Sequence, residues 1–292
     1  MAVEQFLGLR AWADELSSDE RRPIDELFAE SAGAGTRLIP YGHGFGMAPQ
    51  LHAGERRFLE CKDPFCLIRV GDCEIGLLGA GFVPIHHDLN TQFGFAGFSR
   101  KAFPLRKDFV SAVREAELLG LQQNWAPITV KTAMLLYMLG MPLPAPTGVE
   151  AHLPYQLLVD GTLFRYLAGK KVIFIGSTAW RLSECFKVKA FLDAYAFLGP
   201  IDQLKVAGVI QTKPREAGGA WADYERVLGE AARMDFDVAL LACGGTAKPL
   251  AWRIWQSGKT ALDVGFVFDV LMGNVEREHR PVLKDVVWPK FP

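Results

Sequence analysis

The chain has 292 residues, half of them hydrophobic, enough for one large α/β domain or two small ones with a sizeable core. Its 32 basic residues balance 33 acidic ones, which excludes a surface built as a whole to hold a nucleic-acid backbone. The five cysteines, Cys61, Cys66, Cys73, Cys185 and Cys243, form no C-x-x-C pair and have no histidine at finger spacing, so they read as buried free thiols.

The first stretch, "MAVEQFLGLRAWADELSSDE", is acidic early and lacks a long apolar run, so it does not read as a signal peptide. The most apolar window, "AMLLYMLGMPL" at 133–143, is broken by glycine and proline. It falls short of the ~20 residues needed to cross a bilayer. These features lead us to expect a soluble cytoplasmic protein.

In chain order, "LRAWADELSSDERRPIDELFAES" reads as helix, broken near Pro23. Residues 33–55 are rich in glycine and proline and read as a loop with a short strand around Leu38. We place a domain boundary here: 1–55 as a helical and Gly/Pro-rich segment packed on a main domain over 56–292. A strand is expected at 65–70, then loops rich in Gly, Phe and His to about residue 105. Phe109, Val113, Ala116 and Leu119 fall near helical spacing, predicting a helix over 108–120 with Asp108 as its N-cap. "VKTAMLLYMLG" predicts another helix, and "MPLPAPTG" breaks it.

The remainder is the most regular. "KKVIFIG", "LKVAGVIQT", "FDVALLACGGT" and "KTALDVG" read as strands. Between them lie helical stretches: one with Phe186, Phe191, Leu192 and Tyr195, then "GAWADYERVLGEAARM", then "AKPLAWRIWQSG" with Gly258 as the residue past its C-cap. Alternating strand and helix predicts an α/β fold with a mostly parallel sheet and helices on both faces. "VIFI" and "VALLA" lack polar alternation, as strands covered on both faces do. Ligands of such sheets sit beyond the carboxyl ends of the strands. Three groups of residues fall at such ends: Gly176-Ser177-Thr178, Gly244-Gly245-Thr246, and Asp72 with Glu74.

Asp72 and Glu74 stand one residue apart after the run "LIRV". If the chain stays extended there, both point to one side and repel each other. A divalent cation would resolve the conflict, and carboxylate oxygens suit Mg²⁺ or Mn²⁺ arriving with a diphosphate. The plainer alternative is a solvated turn, with Arg69 pairing either acid.

At this point the sequence resembles a known family. "IRVGDCEIGLL" is similar to the R-x-G-D-G-E segment of the GT-D type glycosyltransferases, and "FDVALLACGGTAKPLAWRIWQSGKTALDVG" to their C-terminal signature. "KKVIFIG" matches a further strand, and the order of motifs holds over about 65–270. The resemblance implies a Rossmann-like domain that moves a sugar from a nucleotide-sugar donor, usually UDP-linked, to an acceptor. It implies that Asp72 and Glu74 act at the metal and the diphosphate. Arg69, Gly71, Gly176, Gly244, Gly245, Thr246 and Asp263 then form the candidate nucleotide-sugar set. The acceptor stays open among a glycan, a glycoprotein and a cell-surface polymer precursor. Two departures stand out: Cys73 replaces the glycine between the acids, and Phe266 occupies the family's histidine position, with Asp269 the nearby acid. The sequence therefore names no general base.

Other groups keep two readings. The turn "CGGTA" suits phosphate at a helix N-terminus, or is a tight turn without ligand. In "IGSTAW", Ser177 or Thr178 is expected to cap the next helix. Asp263 binds a ribose hydroxyl or orients an acceptor, or else accepts backbone N–H bonds. His86, His87 and Asp88 form a base with its orienter, or only a polar loop. His43 lies in a loop that closes on a ligand or merely covers the surface. The aromatics of 93–103, with Arg100, Lys101, Arg106 and Lys107 beside them, are an acceptor platform or a packing edge. Trp252 and Trp255 read as core or partner surface. The loops at 40–55 and 83–105 are expected to shape an acceptor pocket. A non-catalytic nucleotide-sugar binder is the main alternative; a dinucleotide enzyme is disfavoured because G-x-G-x-x-G is absent.

Overall fold

A computed structural model of the chain describes residues 51–71, 105–121, 136, 141, 147–213, 223–274, 283 and 286–289. Among them, seven strands form one sheet in the order β3-β2-β1-β7-β6-β4-β5, every pair parallel. The strands are β1 (Cys66–Val70), β2 (Leu118–Leu121), β3 (Gly148–Glu150), β4 (Lys171–Gly176), β5 (Lys205–Gln211), β6 (Val238–Ala242) and β7 (Thr260–Asp263). The described helices are α1 (Leu51–Glu60), α2 (Leu105–Glu115), α3 (Leu153–Val159), α4 (Thr162–Leu167), α5 (Ala179–Cys185), α6 (Lys189–Ala194), α7 (Tyr224–Ala231), α8 (Ala247–Gln256) and α9 (Val267–Leu271). The doubly covered parallel sheet is the α/β Rossmann-like architecture expected from the strand and helix alternation.

The strands carry no polar alternation because each face has its own core. Ile173, Ile175, Ala239, Leu241 and Ile68 turn toward α2, α7 and α8, where Phe109, Val227 and Leu250 meet them. Val172, Phe174, Leu240, Leu67 and Leu262 turn the other way, toward α3–α6 and α9, where Tyr155, Phe164, Phe191 and Phe268 meet them. The period of two therefore sorts one apolar residue to each helix layer in turn. At one edge, β3 is three residues long and covered by α1: Arg57 Nη1 donates to Gly148 O at 2.6 Å. A short, covered edge offers little backbone for unwanted pairing.

Several expectations need correcting. Residues 51–55, read as loop, belong to α1, which buries Phe58 and crosses the 55/56 boundary. The helix expected over 108–120 begins earlier and ends at Glu115. Asp108 lies in its first turn rather than at its N-cap, and Leu118–Leu121 is a buried strand. Four consecutive apolar residues can continue a helical pattern or form a strand, and pairing with β1 decides for the strand. The strand β3 and the helices α3 and α4 were not anticipated. Gly258 does lie just past α8, at φ 82°. The 1–50 segment and all but Leu136 of the helix expected at 130–140 lie outside the described residues; Leu136 is helical and buried.

Asp63 clamps the amino-terminal edge of the sheet. It takes hydrogen bonds from Tyr166, from Lys170 and, at 3.0 Å, from Thr260 at the start of β7. Burial alone would raise its carboxyl, but these donors outweigh burial and hold it below the usual range. A depressed folded value means the contribution is complete above the unfolded value of about pH 4 and is lost as pH falls through the folded one. Asp63 is half exposed, so the effect is modest. Urea midpoints of wild type and Asp63→Asn, measured from about pH 6 to about pH 2, should differ at the neutral end and converge in acid. A gap that stayed constant would refute this role.

Candidate functional site

The neighbouring strands β1 and β7 send the chain to opposite faces of the sheet. After β1 the next described helix, α2, lies on one face; after β7 the chain enters α9 on the other. Divergent connections leave a crevice at the carboxyl ends of those two neighbouring strands. Arg69 and Asp263 come from these strand ends, brought together over 194 residues of sequence.

Asp263 is 1% exposed. Its Oδ2 lies 3.1 Å from Lys248 Nζ and 3.6 Å from Arg69 Nε, and accepts the Arg69 backbone N–H at 3.3 Å. Its Oδ1 accepts the Gly265 N–H at 3.1 Å. Of the two sequence readings, acceptance of backbone N–H bonds is the one these contacts display, with the neutralisation of two cations added. Lys248 Nζ also donates to Gly244 O at 3.1 Å, tying the carboxylate to the glycine turn. Arg69 Nη1 donates to Tyr155 Oη at 3.1 Å and to Ala151 O at 3.4 Å; Tyr155 Oη accepts the Phe266 N–H at 3.2 Å. Two cations thus share one carboxylate, and this group of three carries a net charge of +1.

The local sequence makes room for the network. Gly120 stands beside Arg69 across β2 and β1, and a Cβ there would lie 3.0 Å from Arg69 Cγ. Gly265 has φ 59°, and a Cβ on it would run into the Arg69 guanidinium and Tyr155. Lys248 sits in the first turn of α8, where the helix dipole disfavours a cation. Asp263 offsets that cost.

The other candidates are less drawn together. Gly71 directly follows β1. Gly176 ends β4, but its lack of a side chain answers to packing: a Cβ would sit 2.8 Å from Ala242 O. In the 3₁₀ turn Gly244–Thr246, Gly244 is exposed at φ 61°, whereas Gly245 and Thr246 are buried. Thr178 stands at the N-cap position of α5 but makes no side-chain cap bond; Gln211 from β5 accepts the Trp180 N–H at 3.1 Å instead. Trp252 and Trp255 are partly buried against the α8 layer. Asp72, Glu74, His43, His86, His87, Asp88 and the aromatic stretch 93–103 lie outside the described residues.

Lys248, Tyr155, Gly120 and the Glu150–His152 pair were missed by sequence reasoning. For Lys248 a signal existed: a lysine just after a glycine turn, at the wrong end of a helix. Tyr155 had none, because helix α3 was itself unread.

Among the described residues no three of His, Cys, Asp and Glu gather as a metal site. Asp263 does not fit as a ligand, since both its oxygens already face donors. Cys61, Cys66, Cys185 and Cys243 are free, and burial is the main force raising each thiol, Cys61 to about 11. No helix among the described residues is long and apolar enough to cross a membrane.

A family model described as a GT-D fold-like domain matches residues 48–271. No curated protein and no solved structure matches.

Removing Asp263 would leave Lys248 and Arg69 buried without their carboxylate. Asp263→Ala should cost about 3–5 kcal/mol in urea unfolding. Lys248→Met should cost less, because Arg69 and two N–H groups still face the carboxylate. The reverse ranking would show that Lys248, not Asp263, organises the network.

Proposed function

The chain belongs to the GT-D-like fold family, and from that premise we propose that it transfers a sugar from a UDP-linked donor to an acceptor hydroxyl, aided by Mn²⁺ or Mg²⁺. The observation that carries this reading is the pairing of a guanidinium and an ammonium on one buried carboxylate at the ends of β1 and β7. Arg69 and Lys248 meet there on Asp263, at the strand ends where a Rossmann-like sheet takes its ligands. A diphosphate brings the negative charge that such a place favours.

In this reading Asp72 and Glu74 hold the metal, which, when bound, neutralises charge on the leaving diphosphate as a Lewis acid. The Gly244–Thr246 turn, with Gly244 exposed at the start of α8, receives phosphate or ribose on backbone N–H groups. Gly71 and Gly176 border the same edge. Asp263 keeps Arg69 and Lys248 charged and oriented rather than touching the nucleotide. A glycan, glycoprotein or polymer precursor supplies the hydroxyl.

One observation favours a second reading, a nucleotide-sugar binder without turnover. Phe266, at the position where the resembling family has histidine, uses its N–H to fix Tyr155 and packs its side chain against the α9-side core. That position has become structural.

A thermal-shift series with UDP, with and without Mn²⁺, tests the proposal. Ligand at about 100-fold its Kd stabilises by roughly 2.7 kcal/mol, which for a chain of this size is a shift of several degrees. The shift should require Mn²⁺ and disappear in Asp72→Asn. A UDP shift that survives that substitution unchanged would remove the metal role from Asp72. Release of sugar from UDP-sugars separates the enzyme from the binder.

A further inference from the structure

Resting on the sugar-transfer reading, we propose that His152, positioned by Glu150, is the general base that takes the proton of the acceptor hydroxyl. Glu150 is the last residue of β3 and is 6% exposed. Its Oε2 accepts the His152 backbone N–H. Its Oε1 is buried with no hydrogen-bond partner among the described residues and lies 3.3 Å from His152 Nδ1, an ion-pair approach rather than a hydrogen bond. A carboxylate that only capped the start of α3 would need Oε2 alone. The second oxygen, kept from water and set against the imidazole, does what an orienting carboxylate does. It is placed to accept a ring proton on Nδ1, which leaves the lone pair of Nε2 for the acceptor proton. The His152 side chain is 13% exposed, so it reaches solvent while its partner does not.

The position suits the task. Counted from the crevice between β1 and β7, the glycine turn follows β6, one strand beyond β7, and Glu150 ends β3, two strands beyond β1. At strand spacing they lie roughly 7 Å and 12 Å from its middle. The nucleotide and the base would then flank the reacting carbon from opposite sides. The pair is also joined to the charged network: Arg69 donates to Ala151 O, between the two residues, and the His152 carbonyl accepts the Tyr155 N–H at 2.9 Å.

The step balances. The acceptor O–H bond breaks, its proton passes to His152 Nε2, and the freed electron pair bonds to the anomeric carbon. The bond from that carbon to the diphosphate oxygen breaks, and its pair leaves on UDP. The imidazolium then returns its proton to solvent.

The test uses the full chain as wild type, Glu150→Gln, His152→Ala and His152→Gln. Calorimetry with UDP and Mn²⁺ should give similar affinity in all four, which also shows that the variants fold. Long-range ¹H–¹⁵N spectra should show His152, identified among the six histidines by its loss in His152→Ala, as the Nδ1–H tautomer in wild type. Glu150→Gln should shift it toward Nε2–H. With UDP-glucose, UDP-galactose and their N-acetyl forms, and water as acceptor, both His152 variants should lose at least ~100-fold in kcat with KM little changed. Added imidazole should restore part of the rate in His152→Ala. An Nε2–H tautomer in wild type, or turnover within about threefold in the His152 variants, overturns the base and leaves sugar transfer standing. UDP binding by the wild type without sugar release overturns the base in favour of the binder. Failure of the wild type to bind UDP with Mn²⁺ overturns the sugar-transfer reading and the base with it.

Discussion

One buried carboxylate, Asp263, sets the character of the carboxyl edge. It stands at the end of a central strand, flanked by β1 and β6, and holds two cations. The energetics of such a group are asymmetric. A complete network of this kind contributes little net stability, but losing its anion leaves desolvated positive charge. Local features follow from that constraint: Gly120 gives the Arg69 stem its path, Gly265 keeps clear of its guanidinium, and Lys248 tolerates the positive end of α8.

Chain order then decides where this charge can act. Had β7 been followed by a helix on the α2 side, the crevice between β1 and β7 would be roofed. Instead α9 departs to the opposite face, and the network lies between the paths of the two connections. Apolar packing holds the frame rigid around it. Phe174 touches Phe268 of α9 at 5.3 Å between ring centroids, and Leu250 and Ile254 of α8 sit in the opposite core. The charged residues therefore need not supply the stability of the sheet.

How far the sequence revealed this depended on the length of each apolar run. β4 and β6 were legible because "VIFI" and "VALLA" are too short for helices, too apolar for loops, and end on glycine. β2 and β3 were not, because "LLGL" and "GVE" are so short that only their neighbours define them. The helices α3 and α4 escaped because "LPYQLLVDGTLFRYL" packs apolar residues too densely to show a single face; they lie under the sheet with most of their surface buried. Within the site, Arg69 and Asp263 were legible as residues at strand ends, but their mutual contact was not, since it spans the whole sheet order. The Glu150–His152 pair could not be seen while β3 went unread as a strand.

The replacement of histidine by Phe266 and the presence of His152 are connected through Tyr155. Its hydroxyl receives Phe266 and Arg69 from above β7 and β1, while its backbone N–H and ring stay with His152. The ring and its hydroxyl are one rigid body, buried to 0% exposure. A shift of the turn after β7 would therefore be transmitted to the start of α3, where His152 stands. The geometry couples the turn that carries Phe266 to the residue that carries the imidazole. A base on the β3 side also leaves the β7 turn free of any proton-transfer duty, so that turn can be built solely to hold Arg69 and Tyr155 in register.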